Sequence, residues 1–517
     1  MPQDTELVVC HYHWRTGGVR RVVEHSLPAL LKHPAAENIR RVILLSGEPP
    51  PHAWLHSLRC ACHPITIEPA SSPNLGYISE LKYLPNINNL SNFLQQIIHR
   101  NTRAVWTQNP SLARNPYFLR ALIEACSQNA VPLIFHHHDF WCDNRWQRWQ
   151  EIKKIGQISL QSLAQTLFTP YAIHACITSS DTNLLSKSLS KRVFWLPNPF
   201  LNKKALAEAL EPHQLSLARK YLIQASGQNN PSSANNIWLL PSRVLRRKNV
   251  LEALLLLKHF TTNGFILIPD VAGSGDEQHY WQALQSLAKS SSLPLRLLPS
   301  SKPDSPPFWS FMATADVLAL PSLIEGFGLA FLEAAALQKP LLCRKLHNVE
   351  PDLQNFGLSY PNSYEDIWIE FSGKFAEREL QRQEQLWIEW TAKIPREFHP
   401  FLSIPPARKA IENGSIAFSR LTFTGQLELV RRSAPPFHTS LPSKLTPPHW
   451  SKEPTELCDS HFANKFWMHV SNFFDTISEP HTQDCAWIAQ QDIARDKLCD
   501  KNLYPLLWTT EFSVADS

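Results

Sequence analysis

The order of elements along the sequence predicts an α/β protein with two doubly wound parallel sheets and a C-terminal helical and irregular extension. Short apolar runs, typical of strands buried in a parallel sheet, alternate with helical patterns from about residue 5 to residue 199. The alternation restarts at Ile237, after a stretch rich in Ser, Asn and Gly. With 517 residues, the chain is long enough for two or three domains that each bury a core.

The composition excludes several classes of protein. A net charge of +5 over 517 residues is too small to indicate a nucleic-acid-binding face, so no nucleic acid partner is expected. No uninterrupted apolar run approaches the ~20 residues that span a bilayer. Asp4 and Glu6 precede the first apolar run, which is unlike a secretory signal. We therefore expect a cytoplasmic protein, with peripheral membrane contact left open.

The ten cysteines favour the same compartment. Cys10, Cys176 and Cys343 lie within apolar segments, as expected for buried, reduced thiols. The Cys-x-Cys-His group at residues 60–63 is the tightest cluster, but without a second pair of ligands it is a poor zinc candidate.

The first domain begins with a strand over Leu7–Cys10, followed by Gly17-Gly18 and an amphipathic helix. Two glycines allow a ligand to approach the backbone closely, although a plain tight turn between strand and helix explains them as well. Later strands of this domain are predicted at residues 41–45, 103–107, 131–135, 172–178 and 192–196.

A run of three histidines, His136-His137-His138, follows one of these strands and precedes Asp139. A three-histidine metal site is disfavoured, because consecutive residues of an extended segment point to alternating faces. A hydrogen-bonded structural cluster and an active-site histidine both remain open. Residues 143–146 follow on a loop whose charge and aromatic surface suit a sugar-like acceptor or a solvated loop.

The second domain begins with a strand over Ile237–Pro241 and continues into a basic loop. Arg243 and Lys248 stand five residues apart at the carboxyl end of this strand, where they could hold phosphate or form a solvated basic turn. Gly273 follows the next predicted strand and precedes a helix.

The densest group of candidate residues follows the strand Val317–Leu320. Glu325-Gly326-Phe327-Gly328-Leu329 leads into an Ala-rich helix, and Glu333 lies eight positions after Glu325. The N-terminus of a helix at the carboxyl end of a parallel strand attracts phosphate, and two carboxylates beside it can bind sugar hydroxyls. The alternative is an Ala-rich core helix with two surface glutamates.

These motifs together resemble retaining glycosyltransferases of family 4, the glycosyl transferases group 1, over roughly residues 5–365. The similar motifs are Gly-Gly, His-Asp, Pro-Asn after the last strand of the first domain, Arg-x4-Lys, Ala-Gly-Ser-Gly and Glu-x7-Glu. Asn249 departs from the pattern, because many members have Gly after the Lys, and it should alter the turn rather than the charge.

The resemblance implies a GT-B fold, in which two Rossmann-like domains face a cleft. It implies an acceptor-side domain at residues 1–199, an interdomain linker at 200–235 and a nucleotide-sugar donor domain at 236–365. Beyond these, residues 366–432 are expected to pack on or cross back to the core, with a helix at 416–430 as a candidate. Residues 433–517 are a Pro-rich linker and an extension of unassigned role.

The resemblance also assigns roles to individual residues. Glu325 would contact the transferred sugar, Glu333 the ribose hydroxyls, and His138 would line the site beside the sugar. The expected catalytic residues are His138, Arg243, Lys248 and Glu325. The expected residues for binding the nucleotide sugar are Gly17, Gly18, Gly273, Gly326, Phe327, Gly328, Leu329 and Glu333.

The implied function is retaining transfer of a sugar, expected to be a hexose, from a UDP- or GDP-sugar in glycan, glycolipid or glycoside biosynthesis. No cofactor and no metal are expected, because the sequence contains no Asp-x-Asp pair of the kind that bridges a divalent ion to a diphosphate. The sequence does not predict the acceptor, which could be a sugar, a lipid or another small molecule. It does not predict the oligomeric state either. The main alternative is a catalytically inactive protein of the same fold that binds sugar nucleotides as a scaffold. A phosphorylase or an epimerase of this fold is a minor enzymatic alternative.

Overall fold

The computed structural model describes residues 4–81, 83–143, 145–155, 158–200, 203–227, 236–269, 278–290, 293–298, 305–402, 407–432, 437–438, 441–442 and 444–499. These residues form two compact units. The first unit contains the described residues up to 200, together with 393–402 and 454–497. The second unit contains the described residues from 203 to 392 and from 407 to 453, together with 498 and 499.

The first unit is built on a parallel sheet whose strand order, within the described residues, is β3-β2-β1-β4-β5-β6-β7. The strands are β1 (Thr5–Cys10), β2 (Ile39–Ser46), β3 (Thr66–Ser71), β4 (Thr102–Gln108), β5 (Leu133–His137), β6 (Ile173–Cys176) and β7 (Val193–Trp195). The helices are α1 (Gly18–Lys32), α2 (His52–Cys62), α3 (Ile87–Ile97), α4 (Pro116–Gln128), α5 (Gln147–Ile155), α6 (Leu160–Leu167) and α7 (Ser179–Leu189). Its central strands are continuous apolar runs because helices cover both faces of such a sheet.

The second unit contains a second parallel sheet with the order β10-β9-β8-β11-β12-β14 among the described residues. Its strands are β8 (Ile237–Leu239), β9 (Phe265–Pro269), β10 (Leu295–Leu298), β11 (Val317–Leu320), β12 (Leu341–Arg344), β13 (Leu358–Ser359), β14 (Ser363–Tyr364), β15 (Trp368–Glu370), β16 (Ser415–Ala417), β17 (Phe437–His438) and β18 (His449–Trp450). Its helices are α8 (Lys203–Ala209), α9 (Pro212–Ser226), α10 (Val250–Phe260), α11 (Gln278–Ser290), α12 (Phe308–Thr314), α13 (Leu329–Ala336), α14 (Glu350–Asn355), α15 (Gly373–Thr391) and α16 (Phe423–Arg431).

The prediction of two doubly wound, Rossmann-like α/β halves is confirmed by these two sheets. In each sheet the strand order reverses beside the first strand, between β1 and β4 in one unit and between β8 and β11 in the other. Such a switch point is where open α/β sheets bind ligands, because the loops on its two sides diverge and leave a crevice.

Two segments differ from the sequence-based expectations. The stretch at 200–235, interpreted as a linker, contains α8 and α9, and Ser310 of α12 bonds to the carbonyl of Ala209 in α8. The expected helix at 416–430 is instead strand β16, a short turn and α16, and these belong to the second unit.

The chain returns to the first unit through α17 (Asp459–Ser471), α18 (Phe473–Ser478) and α19 (Cys485–Cys499). Phe462 and Phe466 of α17 pack against the ring of Trp106 on β4. The indole of Trp467 donates a hydrogen bond of 2.9 Å to the carbonyl of Leu30 in α1. Most of the described part of the extension that had no assigned role therefore belongs to the first unit.

Candidate active site

The basic loop of the second unit is a tight turn that leads from β8 into α10. Arg246–Lys248 form a single short helical turn, and Asn249 then adopts a left-handed conformation with φ of 52°. Asn tolerates this region better than most residues, which explains how it can stand where the resemblance implies Gly. The side chain of Asn249 donates a 2.8 Å hydrogen bond to Glu252.

Lys248 and Glu325 form an ion pair at the switch point of the second sheet. The Nζ atom of Lys248 lies 2.5 Å from Oε1 of Glu325, and Arg247 NH1 lies 3.7 Å from Oε2 of the same carboxylate. The two residues are 77 positions apart, but they follow the adjacent strands β8 and β11. Both are buried, so this is a desolvated pair and not a surface salt bridge.

Burial shifts the pKa values of the two partners in opposite directions. Burial lowers the pKa of Lys248 to about 8, although Glu325 acts in the other direction. Burial by itself raises the pKa of Glu325, but the positive charges of Lys248 and Arg247 outweigh it and hold that pKa below its usual value. Near neutral pH the carboxylate is ionised and the ammonium is mostly charged.

Main-chain contacts hold the two loops against each other. Arg247 donates from its guanidinium to the carbonyl of Ile324 at 2.9 Å, and its own carbonyl accepts from the amide of Leu323 at 2.8 Å. Asn348 donates to the carbonyl of Glu325 at 2.5 Å. The position of the Glu325 carboxylate is therefore set by the backbone on both sides.

The glycine-led helix lies where the sequence predicts it. Gly328 has φ of 82° and precedes α13, a left-handed conformation that strains residues with a Cβ atom. Phe327 is buried, and its ring lies 6.1 Å from that of Phe356. Gly326 and Leu329 are partly exposed on either side of this turn.

Glu333 is a buried residue of α13, which excludes the interpretation of two surface glutamates. Its Oε1 atom accepts a 2.8 Å hydrogen bond from the indole of Trp309 in α12. Trp309 was not identified from the sequence, because the signal for it is a contact between two helices. The indole fixes the carboxylate in one orientation.

A second buried network lies behind the Lys248 turn. Glu252 of α10 is fully buried and accepts hydrogen bonds from Arg344 at 2.6 Å and from Tyr364 at 2.8 Å, besides that from Asn249. Arg344 also pairs with Asp366 at 2.5 Å. These groups tie the turn to β12 and β14, the strands beyond β11.

In the first unit, the three histidines point to alternate sides, as an extended segment requires. The rings of His136 and His138 lie on one side with centroids 4.6 Å apart. His137 lies on the other side, where it contacts Ser111 and His174 at 2.9 Å each. Among the described residues no group of three or more His, Cys, Asp or Glu side chains is arranged to hold a metal ion.

His138 stands just past the carboxyl end of β5, next to β4 in the sheet. Its Nε2 atom lies 2.9 Å from Oε1 of Gln108, the last residue of β4, and its amide donates to the side chain of Asn109. Burial lowers the pKa of His138 to about 4, so the ring is neutral at physiological pH. Gln108 and Asn109 were missed from the sequence, because only strand pairing brings them to the histidine.

The remaining candidate residues are less constrained. A Cβ atom on Gly18 would meet nothing within 4 Å, and Gly17 is extended, so packing requires glycine at neither position. Arg243 is exposed, yet close enough for its charge to lower the pKa of Lys248. Gly273 lies outside the described residues.

The loop after His138 does not offer the acceptor surface that its composition suggested. Trp146 is buried at 2% exposure, and the Asp143 side chain is 15% exposed and pairs with Lys497. Trp146 packs against the rings of Trp141 and Phe398, and Asp143 contacts α19, neither of which the local sequence reveals. No described helix is both long and apolar enough to cross a membrane.

Comparisons with known proteins point to one family. The family model for glycosyl transferases group 1 matches residues 224–355, which include the Lys248–Glu325 pair and Glu333. Mannosylglucosyl-3-phosphoglycerate synthase of Petrotoga mobilis is 27% identical over 401 residues, covering 75% of this chain and 73% of the relative. Mannosylglucosylglycerate synthase of the same organism is 27% identical over 280 residues, covering 48% of this chain and 60% of the relative.

Solved structures show weaker similarity. Anabaena Alr3699/HepE, in a complex with UDP-glucose, is 16% identical with a TM-score of 0.47, covering 75% of this chain and 91% of that one. Sucrose-phosphate synthase of Thermosynechococcus elongatus is 16% identical with a TM-score of 0.44, covering 69% of this chain and 85% of that one. The family match over residues 224–355 and the names of the curated relatives support a glycosyltransferase of group 1.

Proposed function

We propose that this glycosyltransferase moves a hexosyl group from a nucleotide-diphosphate sugar, UDP- or GDP-linked, to a small hydroxyl acceptor with retention of configuration. The observation that carries the proposal is the buried Lys248–Glu325 pair at the switch point, beside the glycine-led start of α13. Retention of configuration rests on the resemblance of the Glu-x7-Glu arrangement to retaining enzymes.

The chemistry follows from the charges at this edge of the sheet. Breaking the bond between sugar and diphosphate leaves negative charge on the phosphate oxygens, and preorganised cations and N–H groups stabilise charge where it develops. Lys248 supplies a buried cation, Arg243 an exposed one, and α13 its N-terminal dipole. With these groups available, we propose that transfer needs no divalent metal.

Glu333 is proposed to bind the ribose hydroxyls of the donor. Glu333→Gln keeps the shape and the contact with the indole of Trp309 but loses the charged acceptor, so it should raise the donor KM about 10-fold with kcat changed by less than about 3-fold. Steady-state kinetics with varied donor tests this. The matched control is Glu350→Gln on α14, which should leave both constants unchanged. A loss confined to kcat would contradict the assignment.

His138 is proposed to position the sugar as a neutral hydrogen-bonding group. Because burial holds its pKa at about 4, the activity should show no change from this residue between pH 6 and 8. His138→Ala should lower kcat by about 10²-fold while nucleotide affinity measured by calorimetry stays the same. Stoichiometric zinc in the purified protein, or unchanged kcat in the variant, would refute this role.

The acceptor is proposed from the names of the curated relatives. Those names describe products in which a mannosyl group is joined to glucosylglycerate, with or without a 3-phosphate. We propose an acceptor of this class, a small hydrophilic glycoside that carries a carboxylate.

The test is incubation of the purified chain with UDP-, GDP- and ADP-sugars, including GDP-mannose, in the presence of glucosylglycerate or glucosyl-3-phosphoglycerate. Release of nucleoside diphosphate that depends on the acceptor supports the transferase. Proton NMR of the first-formed product reports the anomeric configuration, and inversion would refute retention. Activity that is lost in excess EDTA and restored by Mn²⁺ would refute metal independence. Nucleotide binding without turnover for any pair would favour the inactive scaffold.

A further inference from the structure

The segment that follows His138 is held by a helix that lies far away in the sequence. Three consecutive residues, Trp141, Cys142 and Asp143, each contact α19 through a side chain. The indole of Trp141 donates to Oε1 of Gln490 at 2.8 Å, and the amide of Gln490 donates to Sγ of Cys142 at 3.8 Å. Gln490 is fully buried, so both of these contacts are made out of solvent.

The contact at Asp143 is electrostatic. Oδ1 of Asp143 accepts no hydrogen bond from the described residues and lies 3.6 Å from Nζ of Lys497. Oδ2 of Asp143 accepts from the amide of Phe140 at 2.7 Å, which closes the turn two residues after His138. Lys497 is 9% exposed and also lies 3.6 Å from Asp181 at the start of α7.

Lys497 is therefore shared between two carboxylates that would otherwise repel each other. Arg145 lies nearby and donates to the carbonyl of Phe140 at 3.2 Å, while Asp496 lies 3.4 Å from Lys497 at the surface. Removing one partner from a buried ion pair is costly because the remaining charge has no compensation. Without Lys497, the turn at Phe140–Asp143 would have to open so that water could solvate Asp143.

We propose that α19 is a positioning element for the segment after His138, and that Lys497 and Gln490 are positioning residues for sugar transfer. The inference rests on the proposed role of His138. It gives the C-terminal extension a function in turnover, although no residue of α19 is proposed to touch a substrate.

The test uses the full chain and two measurements. Cys142 is 1% exposed, so its alkylation by iodoacetamide, followed by mass spectrometry of its peptide, reports opening of the segment. Lys497→Met should raise the alkylation rate at Cys142 by about 10-fold or more. It should also lower kcat by about 10²-fold, since a small misplacement of a positioning group has such an effect. Nucleotide affinity should stay within about 2-fold, because Lys248 and Glu333, which are proposed to hold the donor, belong to the second unit.

Matched variants separate positioning from general loss of structure. Arg495→Met removes a positive charge from an exposed side chain of the same helix and should change neither measurement. Lys497→Arg keeps the positive charge and should retain the wild-type alkylation rate and the wild-type kcat. The double variant Lys497→Met/Asp143→Asn should recover most of the lost kcat, because the uncompensated carboxylate is gone. Gln490→Leu provides an independent probe if Lys497→Met does not fold.

The outcomes distinguish the inference from the proposed function. Unchanged alkylation of Cys142 in both Lys497→Met and Gln490→Leu overturns the inference. It is also overturned if His138→Ala loses turnover while Lys497→Met keeps it. If His138→Ala keeps wild-type kcat, the proposed role of His138 fails, and the inference that rests on it fails with it.

Discussion

Replacing Lys248 by Met should lower kcat by about 10²–10³-fold while the second unit stays folded. Lys248 is the buried cation that we propose to stabilise the leaving diphosphate, and its ammonium lies 2.5 Å from Glu325. Its removal leaves Arg247, at 3.7 Å, as the cation paired with Glu325 among the described residues, so the carboxylate both loses its nearer partner and repels the donor phosphates. Initial rates with saturating donor and circular dichroism of the variant test this.

The pH dependence provides a sharper form of the same prediction. With a pKa of about 8 in the free protein, Lys248 loses its charge as the pH rises through 8, so kcat/KM should fall above that pH. Lys248→Arg keeps a positive charge at all accessible pH values, and its alkaline limb should move upward or disappear. Lys289→Met, which removes an exposed lysine from α11, should leave the whole profile unchanged. Activity of Lys248→Met within 3-fold of wild type would exclude the proposed role of Lys248.

Arg344→Met should have the largest effect on stability, lowering the free energy of unfolding of the second unit by about 3–5 kcal/mol. The substitution leaves the buried side chain of Glu252 without its cationic partner, while Asp366 loses its own. Because Glu252 also holds Asn249, the Lys248 turn should loosen and donor affinity should fall. Urea denaturation followed by tryptophan fluorescence, together with calorimetric titration of nucleotide, measures both effects.

A neighbouring pair provides the control for Arg344. Lys345 lies 3.6 Å from Glu365, but its side chain is 37% exposed and that of Glu365 is 71% exposed. Lys345→Met should therefore cost no more than about 1 kcal/mol. The double variant Arg344→Met/Glu252→Gln should regain part of the loss, since it removes the uncompensated charge. Equal effects of Arg344→Met and Lys345→Met would contradict the proposed importance of the buried network.

Local patterns were enough to predict the frame of the second unit. The strand Val317–Leu320, the glycine turn and the helix that carries Glu333 lie where the sequence places them, because each depends on a few adjacent residues. The same holds for the histidines, whose alternate directions follow from strand geometry alone. The segment at 416–430 was misinterpreted as one helix, since its apolar spacing suits a helix while its first residues pair with β15.

Taken by itself, the sequence determined the fold class, the order of the two sheets along the chain and the candidate residues at their carboxyl ends. Only the tertiary structure decided which of those residues meet and what supports them. Lys248 reaches Glu325 because β8 and β11 are neighbours in the sheet, and His138 reaches Gln108 because β4 and β5 are. The ion pairs between Arg344 and Glu252 and between Lys497 and Asp143 depend on packing between distant elements. The sequence does not predict them, because a buried charge pair leaves no periodic pattern around either partner.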